Sequence, residues 1–435
     1  MQYLNRYRNL ILLTLLAVIV LWGNMGDELF ARDSDIDNQL RKFNYLLFKI
    51  RENYVEKPEL SKLIDGAISG MLSSLDPHSV YISAEDQQRL SEQFAGEFEG
   101  IGISFVIQNK VLTVISPIPG TPADRLGIRA GDKIVEIDGE SAYGITNEEV
   151  FQKLRGPKGT TVEVTIQREG VEELLDFTIT RDKIPINSIE TYFMLDDSTG
   201  YILLNQFTST TSNELEAALV DLQKQGMQRL LFDLRGNSGG YLDQAVNVAN
   251  FFIDGGQMLV YTQGRTPESN REFYSTDRGT YADLPLVILI NHGSASASEI
   301  VAGAVQDLDR GLVAGSRSFG KGLVQTPIPF TDGSLVRLTT ARYYTPSGRL
   351  IQRPYTENIT EYYRSAYTDD DSVQTIPDSL KTVHHTKAGR TVYGGGGIEP
   401  DVSLESRYYT SWTSKLLNKR LFFEYATDYA NRHPE

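Results

Sequence analysis

Between residues 200 and 345 the chain alternates short apolar runs, glycine-rich turns and helical patterns, and this alternation constrains its fold more than any other feature. Tyr201–Asn205 reads as a strand, and Arg229–Leu234 and Pro285–Ile290 are continuous apolar runs of the buried-strand type. Thr211–Gln225 is expected to be a helix with a capping box (Thr211, Glu214), an apolar face (Leu215, Ala218, Leu219, Leu222) and a stop at Gly226. Asp332-Gly333 ahead of Leu335–Thr340 marks a hairpin. Strands that feed helices in this way imply a layered α/β domain.

The flanking segments differ in texture. Residues 36–95 read as helical, with Phe43, Leu46, Leu47 and Ile50 on one face, then Leu60, Leu63, Ile64, Ala67 and Ile68 on another; Asp76-Pro77 starts a turn. Residues 96–182 form a β-rich module with runs at Val111–Ile115, Ile134–Ile137 and Val162–Ile166. It holds one short helix, capped near Thr146 or Asn147 and stopped by Gly156-Pro157. The α/β core is placed at 183–353 and 397–410, a polar surface insertion or partly disordered loop at 354–396 and a helical tail at 411–435. This agrees with the soft expectation of about three domains for 435 residues.

Arg6 and Arg8 precede an apolar run from Leu10 to Trp22. That run is short for a membrane span and fits a secretory signal peptide better, with an uncleaved N-terminal membrane anchor within residues 1–30 as the alternative. The expected location is extracytoplasmic: periplasmic, or anchored in the inner membrane and facing the periplasm. A formal net charge of −15 argues against nucleic acid as a partner. The absence of cysteine excludes thiolate chemistry and cysteine-ligated zinc, and the lack of an HExxH run among five histidines argues against a histidine-based metal site. Hydroxyl, carboxylate, lysine and histidine chemistry remain.

Gly293-Ser294-Ala295-Ser296-Ala297-Ser298-Glu299-Ile300 joins a buried strand to a helix, where a serine is exposed at the sheet edge and helix-start amides can face a developing oxyanion. The three serines also read as helix caps. Leu234-Arg235-Gly236-Asn237-Ser238-Gly239-Gly240 is a second turn after a strand, suited to an anion-binding nest or simply to a tight loop. Two such turns place a site at the carboxyl ends of the strands. Two residues compete as base: His292, close in sequence, and Lys321, set between Gly320 and Gly322. Lys321 would need a pKa lowered by about three units, which burial in a closed site supplies.

The segments GSASASEI (Gly293–Ile300), GKGLVQ (Gly320–Gln325) and LRGNSGG (Leu234–Gly240) resemble the three motifs of the carboxyl-terminal processing peptidases, the tail-specific serine proteases, over residues 40 to 405. The resemblance implies a crotonase-like layered α/β serine-protease core carrying an inserted β-rich PDZ domain. It places the nucleophile at Ser296, the base at Lys321, a supporting glutamine at Gln325, and oxyanion amides at Gly239 or Gly240 and at Ala297. It implies a dyad without histidine and no metal or organic cofactor. In a regular strand Gln325 would lie about 13 Å along from Lys321, so contact requires an irregular turn at Gly320 or Gly322. Glu299 reads as a first-turn acid favoured by the helix dipole.

Phe98–Ile103, Pro119–Ala123, Leu126–Ile134 and Ile137–Gly139 resemble a PDZ domain. The resemblance implies binding of a protein's apolar carboxyl terminus as an added strand, with its carboxylate at Gly100, Ile101, Gly102 and Ile103. The same glycines would also suit a bulged strand. Arg155 either couples peptide binding to activity or is a solvated helix-end charge. The function expected is an exported serine endopeptidase acting on such tails. A non-catalytic PDZ adaptor and an acyl-transfer or hydratase enzyme on a related fold are the competing readings. The helical flank is a candidate surface for homo-oligomer formation.

Overall fold

The three apolar runs become neighbours in one six-stranded sheet. In the computed structural model, which describes residues 35–276, 279–355, 359–366, 381–404 and 410–433, the strand order is Ile189–Met194, Thr199–Leu204, Arg229–Asp233, Leu286–Ile290, Leu312–Gly315, Val402–Ser403. The first pair is antiparallel and the others are parallel. The apolar run Leu10–Trp22 lies outside the described residues.

Leu215, Ala218, Leu219 and Leu222 of the helix Thr211–Lys224 are at most 1% exposed, so the apolar face read from the sequence is the face against the core. Each buried leucine contributes about 1.5–3 kcal/mol through apolar area removed from water. The capping box expected for this helix does not form. Thr211 lies inside the helix, where its hydroxyl accepts from the Thr208 amide, while Glu214 accepts from the amides of Ser188 and Ile189 and from the Thr210 hydroxyl. For Glu214 distant donors outcompeted the local cap, while Thr211 is taken by the turn just ahead of the helix. The helix Ala297–Asp307 is buried along its whole length, as its small and apolar residues allow on every side.

A second sheet brings distant segments together. Leu335–Tyr344 pairs with Leu323–Pro329 in the expected hairpin, and also with Met258–Gly264 and with Val80–Ile82. The reading of 36–95 as helical, broken by a turn at Asp76-Pro77, contains no strand; Val80–Ile82 departs from it because three residues carry no readable period.

The chain divides into two compact units at Leu75/Asp76. The first contains a helix over 35–53 and a second helix, Leu60–Ser73. Within the second unit, the β-rich module is a six-stranded antiparallel sheet with the helix Asn147–Leu154, whose N-cap Thr146 forms a capping box with Glu149, and with a single helical turn, Pro122–Arg125, beyond the one short helix expected because four residues carry no readable period. The chain enters and leaves this module through the paired strands Glu97–Gly100 and Asp182–Pro185.

The stretch 354–396 is not simply a polar surface insertion. Ile359–Ala366 is a helix whose Tyr362 is 1% exposed, and Val383–His385 pairs with Thr391–Tyr393. Polar composition concealed one buried aromatic anchor. The tail forms helices Ser411–Asn418 and Leu421–Arg432, and Gln108 of the β-rich module donates to Glu424.

Candidate active site

Three serines compete at the strand-to-helix turn, and their partners separate them. Ser294 Oγ donates to Leu234 O at 2.8 Å and Ser298 Oγ to Asn237 O at 2.9 Å; both residues are fully buried. These hydroxyls clamp the serine turn onto the glycine turn. Ser296 lies between them, partly exposed, with φ 54° and ψ −112°. A non-glycine residue at such positive φ stores about 1–3 kcal/mol, a strain characteristic of functional turns.

The glycine turn is packed against this residue. A Cβ on Gly239 would lie 2.8 Å from Ser296 Cβ and from Ala295 O, so only glycine permits the approach. Asn237 holds the turn, donating to Leu204 O at 2.8 Å and accepting the Gly239 amide at 2.9 Å. Of the amides expected to bind an oxyanion, Gly239 is therefore already engaged. That leaves the amides of Gly240 and of Ala297, the first residue of the buried helix, as the candidates for that role.

Lys321 sits in a loop whose every amide from Ser318 to Gly322 has an acceptor. Ser318 donates to Ile398 O, Phe319 to Ser294 O, Gly320 and Lys321 to the two oxygens of Glu299, and Gly322 to Gln352 Oε1. Glu299 is fully buried and also accepts from Ser318 Oγ at 2.5 Å and from the Ser296 amide at 2.8 Å. The helix-dipole reading of Glu299 is thus incomplete: it is the brace that joins the two candidate catalytic turns. Burial pushes its carboxyl above the ordinary carboxylate range, against the pull of these donors. Tyr343, likewise buried, places its hydroxyl 3.1 Å from Ser296 O and 2.5 Å from Lys321 O, a second bridge between the same turns.

Burial lowers the Lys321 amine to about 8, assisted by the nearby charge of Arg337. Its Nζ donates to Gln325 Oε1 at 2.9 Å. The irregularity that this contact requires is present: Gly320 has φ +86° and the strand register shifts between Val324 and Gln325. A hydrogen bond from Ser296 Oγ to Lys321 Nζ is not among those of the described residues. Gln325 Nε2 donates in turn to the carbonyl of His78. His78 itself is pushed down to about 4 by burial and by the charge of Lys321, and its ring meets the Tyr362 hydroxyl at 2.8 Å.

In the β-rich module, Ile101 O accepts from Ala123 N at 2.9 Å and Gly102 O from Ile118 N at 2.9 Å. In a trans peptide the amide points opposite its carbonyl, so the Gly102 and Ile103 amides face away from these contacts. The Ile101 side chain, 2% exposed, belongs to the module's core, and Gly100 is buried before it. Arg155 is not a solvated helix-end charge. It pairs with Glu92 and stacks between Phe98 and Phe151, 4.6 and 4.8 Å from the ring centroids.

Sequence reasoning missed Tyr343, Gln352 and the carbonyl of His78, and it marked the turn that holds Asn237 without giving that side chain a role. Tyr343, Gln352 and the His78 carbonyl act through contacts between segments far apart in the chain, and of these only His78 had a local signal, the neighbouring Asp76-Pro77 turn.

Comparison with known proteins supplies three matches to family descriptions: peptidase family S41 over residues 198–360, a PDZ domain over 113–168 and the activating protease CtpB N-terminal domain over 25–86. The carboxy-terminal-processing protease of Bartonella bacilliformis is 43% identical over 318 residues, covering 72% of this chain and 73% of that protein. The carboxy-terminal processing protease CtpA of Bacillus subtilis is 34% identical over 349 residues, 79% of this chain and 74% of that one. A probable CtpA-like serine protease of Staphylococcus aureus is 32% identical, covering 100% of this chain and 90% of its own length.

Proposed function

The chain belongs to peptidase family S41, as a serine peptidase of the carboxy-terminal processing type with a PDZ domain, and on that footing we propose that Ser296 and Lys321 form its catalytic dyad. The supporting observation is the pair of buried braces, Glu299 and Tyr343, that hold the two turns together while Ser294 and Ser298 are committed to structure.

In this mechanism neutral Lys321 takes the proton from Ser296 Oγ as that oxygen attacks the substrate carbonyl. The amides of Gly240 and Ala297 stabilise the oxyanion. Protonated Lys321 then returns the proton to the departing amine, leaving an acyl-enzyme. Water attacks the ester with Lys321 again as base, and Ser296 leaves with the proton. Gln325 orients the amine, a role that needs no charge change.

The substrate is a protein whose apolar carboxyl terminus pairs with Ile103–Gln108 as an added strand, its carboxylate on the Gly102 and Ile103 amides. The enzyme acts outside the cytoplasm, a reading supported by Arg6, Arg8 and the apolar run that follows. Replacing Ser296 by Ala and assaying an unfolded protein with an apolar tail tests the dyad: hydrolysis should vanish, and undiminished turnover refutes the assignment.

A further inference from the structure

Gln325 can assist Lys321 only in one of its two amide orientations. With Oε1 toward Nζ, as here, the glutamine accepts an N–H of the amine. A neutral amine then keeps its lone pair for the serine proton. Rotated by half a turn, the Nε2–H group would donate into that lone pair and block the transfer. The two orientations have nearly the same shape, so the choice falls to whatever meets the other end of the amide. Here that is the His78 carbonyl, which can only accept and therefore selects Nε2.

The orientation of that carbonyl is itself held. The His78 carbonyl and the Ser79 N–H belong to one peptide plane, and Ser79 N donates to Asp76 Oδ1 at 2.8 Å. The His78 amide donates to the same oxygen at 2.8 Å, and Ser79 Oγ donates to Oδ2 at 2.6 Å. The turn is moored to the neighbouring strand: Thr339 Oγ1 donates to Asp76 Oδ1 and Thr339 N to Ser79 Oγ, both at 3.1 Å. Thr339 is the residue directly paired with Gln325 across the hairpin. The anchor and the amide it orients are therefore in register.

We propose that Asp76 is a positioning residue for proton transfer: through the His78–Ser79 peptide plane it holds the Gln325 amide with its oxygen toward Lys321, which leaves the lysine lone pair to Ser296. This rests on the Ser296–Lys321 reading and adds to it a residue that touches neither substrate nor dyad.

The test is a double-mutant cycle in the full-length chain, with an unfolded protein bearing an apolar tail as substrate. Asp76→Ala and Gln325→Ala are each expected to lower kcat by about 10- to 100-fold, the cost of a misplaced catalytic group, with KM little changed. The double variant should be no slower than Gln325→Ala, because both changes remove one function. Losses that multiply, or an unimpaired Asp76→Ala enzyme, overturn the proposal. Asp76→Asn keeps an oxygen for the His78 and Ser79 amides and should retain kcat within about threefold of wild type. It decides the matter should Asp76→Ala not fold: a folded Asp76→Asn enzyme as slow as Gln325→Ala also overturns the proposal. Ser296→Ala, assayed alongside, reports separately on the dyad, since hydrolysis surviving there would mean that the underlying reading has failed.

Discussion

The backbone amides of Ser296 and Lys321 converge on one oxygen atom: Glu299 Oε2 accepts the first at 2.8 Å and the second at 2.9 Å. The other carboxylate oxygen accepts from Ser318 Oγ and Gly320 N. Glu299→Gln would set an NH2 group against amide or hydroxyl donors in either orientation. The variant should lose about 100-fold or more in kcat and about 2–4 kcal/mol of stability, as expected for a buried group left facing like donors. Steady-state kinetics and urea unfolding measure the two effects.

The strained backbone of Ser296 separates chemistry from stability. Ser296→Ala keeps the φ of 54° and its cost, whereas Ser296→Gly removes the steric penalty. Both should be inactive, and the glycine variant should be more stable than the alanine variant by about 1 kcal/mol, the relieved strain net of the chain entropy that glycine loses on folding. A Ser296→Gly enzyme no more stable than Ser296→Ala in denaturant melts would count against strain at this turn.

Lys321 should control the pH dependence. With its amine lowered by burial to about 8, kcat/KM should rise with pH as the amine loses its proton and level off above that value. The linkage to stability has a definite sign. The unfolded lysine holds its proton up to about 10.5, so between 8 and 10.5 the unfolded chain binds more protons and wild-type stability rises with pH. Lys321→Met should therefore be more stable than wild type by about 3 kcal/mol below pH 8, with the advantage shrinking toward pH 10.5. Paired melts across this range give the difference directly.

Gly239 and Gly236 form a matched pair. Both have positive φ, but a Cβ on Gly236 meets open space whereas one on Gly239 would collide with Ala295 and Ser296. Gly236→Ala should cost about 1 kcal/mol and keep activity, since only local strain is added. Gly239→Ala should abolish hydrolysis, because the serine turn must move. Comparable activity in the two would dissociate the glycine turn from the nucleophile.

Carboxylate capture by the PDZ module is tested by ligand chemistry. A peptide with an apolar, free carboxyl terminus should bind about tenfold or more tighter than its amide, reflecting charged hydrogen bonds to the Gly102 and Ile103 amides. Fluorescence anisotropy with the two peptides distinguishes this from purely apolar binding, which would leave the affinities equal.

Much of this protein was legible in its sequence because the informative features are local. Continuous apolar runs mark the buried strands, a shared apolar face marks the helix Thr211–Lys224, and glycine spacing marks the turns at 234–240 and 320–322. Such patterns also placed Ser296 between strand and helix. Tertiary structure alone decided which serine is left unclamped, how a strand irregularity brings Gln325 to Lys321, and why Glu299, legible only as a first-turn acid, braces two turns. It also decided that Glu214 abandons its local cap for the amides of Ser188 and Ile189 and that Tyr362 is buried within a polar stretch. Period and propensity act over a few neighbouring residues, whereas a buried hydrogen-bonding group takes whichever partner the fold brings to it. That partner, such as the His78 carbonyl for Gln325, leaves no trace in the neighbouring sequence.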